Sequence, residues 1–319
     1  MRVLLTTYHQ AFLAPAGGEA ELVDMAARLR GFGLQADIYG HNSQPLSHYD
    51  LVLHFSAHGG GEELLKQVKA AGKPVVLLPN LAMNQVNQGN RPVIESHFAL
   101  ADRIVFRAEC DAAAAKAAFA LPESKLASVP LAVDACFGEA ADEFIFPVVY
   151  GGEQDYLLWV GILEERKNQL QVIQALKDQE MPVIFVGAYR DQAYYDACRA
   201  AAPSHFRFVP HLTPKSEALR SAYQNCRAYI ELPSEPPGMS ALEAGLAGAS
   251  LLLTDCAWSR EYFGDEAVLV DPNSPQAIRD GVKAVLARGK SASLAQTIQN
   301  RFTAPEALRG LIEILQGAA

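Results

Sequence analysis

The sequence predicts an α/β protein built from two Rossmann-like domains, each a doubly wound parallel sheet, facing one another across a cleft. Three observations predict it. Short apolar strands alternate with helical stretches along nearly the whole chain, the pattern of a parallel sheet covered by helices on both faces. The alternation breaks once, between Gly138 and Asp155, and restarts at Leu157. The length, 319 residues, exceeds one ordinary α/β domain and suits two.

Taken in order, residues 1–6 form an apolar run that reads as a first buried strand. It is too short and too quickly polar for a signal peptide. A polar loop and Gly17-Gly18 lead into a helix with Leu22, Val23, Ala26 and Leu29 on one face. Arg28 and Arg30 occupy its last turn, and Gly31 and Gly33 stop it. Strands follow at 36–39, 50–55, 74–78 and 103–106, separated by helical stretches such as 62–71 and 109–119. Residues 138–155 mix acids, Pro147 and Gly151-Gly152 without helical periodicity, and read as a linker. Six further strands are expected at 157–160, 183–186, 206–209, 228–232, 250–254 and 267–270. The domains are therefore 1–145 and 146–303. The stretch 304–319, a helix from Pro305 to Leu315 with no strand after it, is expected to pack back on the first domain.

Composition narrows the function classes. Half of the residues are hydrophobic and a fifth are charged, the balance of a soluble protein with a real core. No apolar run approaches the ~20 residues that span a bilayer. Five scattered cysteines, none in a C-x-x-C pair, fit a reducing cytoplasm better than a disulfide framework or a zinc knuckle. The net charge is −9, and no basic run or basic–aromatic interleaving occurs, so nucleic acid is excluded as a partner. Bulk charge also disfavours an anionic membrane, leaving at most a weak peripheral contact.

Two constellations carry chemistry. Val160-Gly161-Ile162-Leu163-Glu164-Glu165-Arg166-Lys167-Asn168 follows a buried strand and is expected to open a helix. Such a turn presents unpaired N–H groups and a positive dipole end. Arg166 and Lys167 add two full charges there, against the dipole, which stability alone would not select; they read as an anion site. The second is Leu232-Pro233-Ser234-Glu235-Pro236-Pro237-Gly238-Met239-Ser240-Ala241-Leu242-Glu243-Ala244-Gly245-Leu246-Ala247-Gly248. Pro236-Pro237 keeps the loop from being helical, and Gly238 frees the backbone at the helix start. Gly245 and Gly248, each costing ~1 kcal/mol in a helix interior, indicate close packing against a sheet or a ligand.

With these motifs the chain resembles glycosyltransferase family 4, the retaining enzymes of GT-B architecture. Glu235 … Glu243 fits the family's Glu-x7-Glu motif, and Gly161 to Asn168 is similar to its Gly-Thr-Leu-Glu-Pro-Arg-Lys-Asn signature. Gly17-Gly18-Glu19 resembles its N-terminal glycine turn, and Pro130 to Asp134 with Phe137 the segment ending its first domain. Arg260 to Asp265 and Val270-Asp271-Pro272 resemble segments after its fifth C-terminal strand.

The resemblance implies transfer of a hexosyl or related sugar from a nucleotide-diphosphate donor to a glycan, lipid-linked or small-molecule acceptor. It implies that Arg166 and Lys167 hold the diphosphate, assisted by the amides of Gly238, Met239 and Ser240. It gives Glu243 the ribose hydroxyls and Glu235 the donor sugar, and lets the Gly17–Gly18 loop approach sugar and phosphate. It needs no metal and no cofactor, and no Asp-x-Asp occurs. One departure stands out. The family's histidine after the fourth strand is missing, since Pro79-Asn80 follows residues 74–78. His54 and His58, at the end of the preceding strand, are the substitutes considered; His211 lies where a base would stack. The missing histidine supports an alternative, a catalytically weak relative acting as partner subunit or nucleotide-sugar sensor. A sugar-nucleotide epimerase shares the outline but would not explain Arg166-Lys167 with Glu235 … Glu243.

Overall fold

A computed structural model of the chain describes residues 1–13, 17–150 and 155–319. Its first sheet comprises β1 (Arg2–Thr6), β2 (Gln35–Ile38), β3 (Leu51–Phe55), β4 (Val75–Leu78), β5 (Arg103–Phe106) and β6 (Leu126–Ser128). The order is β2-β1-β3-β4-β5-β6, and every pairing is parallel. The helices of this region are α1 (Gly17–Gly31), α2 (Glu62–Ala70), α3 (Arg91–Leu100) and α4 (Glu109–Phe119). β3 and β4 are buried along their whole length, which is why they read as continuous apolar runs rather than alternating ones.

The second sheet comprises β7 (Leu157–Val160), β8 (Val183–Val186), β9 (Arg207–Val209), β10 (Ala228–Glu231), β11 (Leu251–Thr254) and β12 (Val268–Val270). All its pairings are parallel too, in the order β12-β11-β10-β7-β8-β9. Its helices are α5 (Ile145–Tyr150), α6 (Gln169–Leu176), α7 (Gln192–Ala201), α8 (Glu217–Asn225), α9 (Met239–Leu246), α10 (Ala257–Phe263), α11 (Pro275–Arg288) and α12 (Ala292–Phe302). Asp191, Ser216, Ser274 and Ser291 start four of them, each side chain accepting the N–H three residues on. The last helix is α13 (Glu306–Ala318). Two Rossmann-like parallel sheets are therefore present, as the alternation predicts.

The chain divides into two compact units, Met1–Pro130 with Leu308–Ala319, and Leu131–Ala307. The change of unit falls at Pro130, ahead of the 145/146 boundary expected from the sequence, because the intervening segment is tied to the second unit. Leu131 N donates to Tyr262 Oη (2.9 Å), Val133 N to Phe302 O (2.7 Å) and Phe146 N to Ser221 Oγ (3.3 Å). Phe146 is fully buried beside Tyr156.

The segment read as a linker thus contains α5; Gly151-Gly152 lie outside the described residues. β6, only three residues long, is absent from the strands read in the sequence. On α1, Val23 is 49% exposed, and Met25 takes its place in the core. Gly248 lies beyond α9 with φ +87°, so of these two glycines Gly245 is the one within the helix. A Cβ at Gly245 would meet Ile298 Cδ1 at 2.5 Å, which is the close packing expected of it.

In each sheet the chain builds strands to one side, then returns to the middle and builds to the other. The reversal lies between β1 and β3 in the first sheet and between β7 and β10 in the second. Loops leaving the carboxyl ends of such a strand pair form the ligand crevice of open α/β sheets.

Candidate active site

At the β7/β10 reversal the two sequence constellations meet. After β7, Gly161 N donates to Val186 O (2.9 Å) and Leu163 N to Ala188 O (2.8 Å), so this loop runs beside the loop after β8. A Cβ at Gly187 would lie 1.9 Å from Gly161 O; only glycine lets the two backbones pass. Arg166 and Lys167 follow in a single 3-10 turn, Glu165–Lys167, and Asn168 then turns the chain with φ 66°. Asn168 Nδ2 donates to Leu232 O and Pro272 O, both at 3.1 Å. The two cations therefore precede α6 in a turn of their own and do not occupy its first turn as expected. Their backbone is bound to the opposite loop, since Ser234 N donates to Arg166 O at 3.0 Å.

The loop after β10 is held by Thr254 Oγ1, which donates to Pro233 O (2.8 Å). It delivers Glu235 to the cations. Arg166 Nη1 lies 2.8 and 2.6 Å from the two Glu235 oxygens, and Lys167 Nζ lies 2.7 Å from Oε1. Arg166 Nη2 also pairs with Glu164 at 2.6 Å. Burial opposes both charges of this set. Lys167 and then Arg166 nonetheless hold the Glu235 carboxyl below its usual range, and Glu235 with Glu164 holds the Arg166 guanidinium above its own. Glu235, to which the resemblance gives the donor sugar, is 8% exposed and is the counter-ion of both cations.

Gly238 begins α9 in extended backbone, and a Cβ there would meet no atom within 4 Å. Met239 and Ser240 follow, half-buried. Glu243 lies one turn further and is half-buried, its Oε2 accepting from Tyr223 Oη at 2.8 Å. Burial pushes its carboxyl up to about 7, against that hydrogen bond and with the help of the nearby Glu231 charge.

Glu231, the last residue of β10, is absent from the sequence reading. It is 2% exposed, accepts from Tyr229 Oη (3.0 Å) and lies 4.0 Å from Lys167 Nζ. Burial raises its pKa despite Lys167. The signal was available, since an acid inside an apolar strand seldom lacks a partner. Among the described residues no group of three His, Cys, Asp or Glu side chains is arranged to hold a metal ion.

Gly17 and Gly18 belong to the other unit, where they open α1 and form no loop. A Cβ at Gly18 would meet Asn80 Nδ2 at 3.0 Å, so the residue standing where a histidine is expected packs against this glycine turn. His54 is fully buried in β3, with Nδ1 hydrogen-bonded to Thr6 Oγ1 (2.8 Å) and the ring stacked on buried His97; it is closed to a ligand. His58 and His211 are exposed. Among the described residues no helix is long and apolar enough to cross a membrane.

Comparison with solved structures shows the same fold over the full chain. Sucrose-phosphate synthase from Thermosynechococcus elongatus superposes with TM-score 0.82 at 12% identity, covering 100% of both chains. Anabaena HepE in complex with UDP-glucose gives TM-score 0.80 at 16% identity, covering 99% of this chain and 100% of that one. UDP-GlcNAc 2-epimerase from Methanocaldococcus jannaschii gives 0.63 at 10%, covering 99% and 100%. At such identities the likeness speaks for the GT-B fold alone, and an epimerase shares it. No curated protein matches the sequence. The family model is what separates the readings: "Glycosyl transferases group 1" matches residues 141–301, half of the chain and the stretch carrying Arg166, Lys167, Glu235 and Glu243. The chain belongs to the glycosyl transferases group 1 family.

Proposed function

We propose that this protein transfers a hexosyl or related sugar, with retention at the anomeric carbon, from a nucleotide-diphosphate donor held at the β7/β10 reversal. The observation that carries the reading is the convergence of Arg166 and Lys167 on Glu235, in the loop that leads into α9, at the crevice of a parallel sheet. Departure of a nucleoside diphosphate builds negative charge on the β-phosphate. Two fixed cations and the N–H groups of Gly238, Met239 and Ser240 stabilise charge at such a place without reorganising. Glu243 takes the ribose hydroxyls in its ionised form, which prevails above about pH 7, only accepts and can engage both. Glu235 exchanges part of its hold on the cations for the donor sugar. The acceptor is a glycan, a lipid-linked sugar or a small molecule.

UDP is the first base to try, because UDP and UDP-glucose are bound in the HepE structures. The test is a thermal-shift panel of nucleoside diphosphates followed by assay of diphosphate release from the matching nucleotide sugars. A ligand at about 100 times its Kd stabilises a fold by roughly 2.7 kcal/mol, an easily read shift. A flat panel across UDP, GDP and ADP defeats the proposal. Binding of a nucleotide sugar without release, with any acceptor class, favours the sensor or partner-subunit reading, for which buried His54 is the supporting observation.

A further inference from the structure

Glu231 is a buried acid that the proposed reaction does not use. Around it stand Tyr229 of its own strand, Lys167 in the turn before α6, Glu235 in the following loop, and Glu243 on α9. The same carboxylate therefore stands beside one of the two cations assigned to the diphosphate and accepts from Tyr229.

We propose that Glu231 is a third carboxylate of the donor site, a positioning residue that holds Lys167 while no phosphate is bound and takes up one proton when a diphosphate claims that cation. The inference rests on the assignment of Arg166 and Lys167 to the diphosphate. Its physical basis is charge balance. A buried carboxylate stays ionised only while partnered. Once Lys167 turns to phosphate, Glu231 loses its countercharge beside a new anion. A proton from solvent then neutralises it, leaving Tyr229 as its neutral partner. Diphosphate affinity consequently rises as pH falls, by up to about tenfold per pH unit for one linked proton.

The experiment is calorimetric titration with inorganic pyrophosphate, between pH 6 and 8.5, of the wild type, Glu231→Gln and Tyr229→Phe. Pyrophosphate has its own titration, but it is common to all three proteins, so only differences between them are read. Glu231→Gln removes the competing anion. It is expected to bind roughly tenfold more tightly than wild type at pH 8.5, the gap closing towards pH 6. Tyr229→Phe keeps the charge, removes a hydrogen bond to the ionised form, and should move the wild-type pH dependence to higher pH. If Glu231→Gln does not fold, that shift is the deciding readout. Parallel pH profiles for all three proteins overturn the inference, as does weaker binding by Glu231→Gln at every pH, which is what a purely structural role predicts. A wild type that binds UDP but shows no change on Glu231 or Tyr229 substitution defeats this inference alone. A wild type that binds neither UDP nor pyrophosphate defeats the donor-site reading itself.

Discussion

The two reversal points of the molecule share a topology and differ in chemistry. At β7/β10 the strand ends and the loops after them carry Glu231, Arg166, Lys167 and Glu235, paired with one another. At β1/β3 they carry Thr6 and His54, hydrogen-bonded to each other and fully enclosed. Burial, with His97 close by, drives His54 down to about 3, so it is neutral at pH 7, and its Nε2 has no hydrogen-bond partner. The crevice of a parallel sheet is a place where a site can be built; the side chains decide whether one is. In the second sheet the charged side chains pair with one another at the reversal. In the first, the corresponding polar groups are consumed by the packing.

That contrast breaks most decisively at Lys167. Lys167→Ala removes a charge-assisted contact worth about 1.5–3 kcal/mol, so diphosphate affinity should fall by roughly 10- to 100-fold while affinity for the bare nucleoside changes little. His54→Gln in the first sheet should leave both affinities unchanged. Calorimetry with UDP and uridine reads both variants; equal losses for the two ligands in Lys167→Ala would remove the phosphate assignment.

The two places also titrate in opposite senses. His54 has a folded pKa far below its ordinary 6.5, so the unfolded chain binds the extra proton. The stability this contributes is complete above pH 6.5 and is lost as pH falls towards 3, by roughly 1.4 kcal/mol per pH unit. Glu243 has a folded pKa raised from 4.5 to about 7, so here the folded chain binds the proton. Its contribution is complete below pH 4.5 and is lost as pH rises through 7, with a total of roughly 3 kcal/mol. Hydrogen exchange measured from pH 4 to 8 should show β3 amides losing protection on the acid side and α9 amides on the alkaline side. A common slope for both would dissolve the distinction.

A smaller effect separates the paired glutamates. Glu243→Ala should weaken every ligand carrying ribose by about 1.5 kcal/mol or more, nucleoside diphosphate included. Glu235→Ala should leave diphosphate binding near wild type, because the freed cations offset the lost ordering of the loop, while turnover and the choice of sugar both suffer. Titration of both variants with UDP and UDP-glucose distinguishes them, and the reverse pattern would exchange the two roles.

What the sequence reveals follows the same divide. Strands buried on both faces, such as residues 157–160 and 183–186, are legible because a parallel sheet demands unbroken apolar runs. Arg166, Lys167, Glu235 and Glu243 are legible as a set because they stand in two motifs that resemble those of one glycosyltransferase family. Their pairing is not, since an ion pair between residues 166 and 235 depends on strand order rather than spacing. Glu231 is hidden by the apolar strand around it, and α5 by Pro147 and the acids before it. The enclosure of His54 is likewise invisible: its partners Thr6 and His97 lie 48 and 43 positions away in the chain.

The smallest expected effect is none at all, and it concerns metal. A divalent ion at a departing diphosphate neutralises charge and orients the phosphates. The proposed reaction assigns those tasks to the Arg166 guanidinium, the Lys167 ammonium and the N–H groups opening α9. The carboxylates nearby are committed elsewhere: Glu235 to both cations, Glu243 to Tyr223, and Glu231 to Tyr229 and Lys167. To bind Mg²⁺, one of them would have to leave a cation or a tyrosine it already holds. Turnover with the preferred nucleotide sugar should therefore be the same in excess EDTA as in millimolar Mg²⁺. Activity that disappears in EDTA and returns with Mg²⁺ or Mn²⁺ would mean that an ion performs the leaving-group chemistry. The cation pair at the second reversal would then serve to hold Glu235, bringing it closer in kind to the packed polar groups of the first.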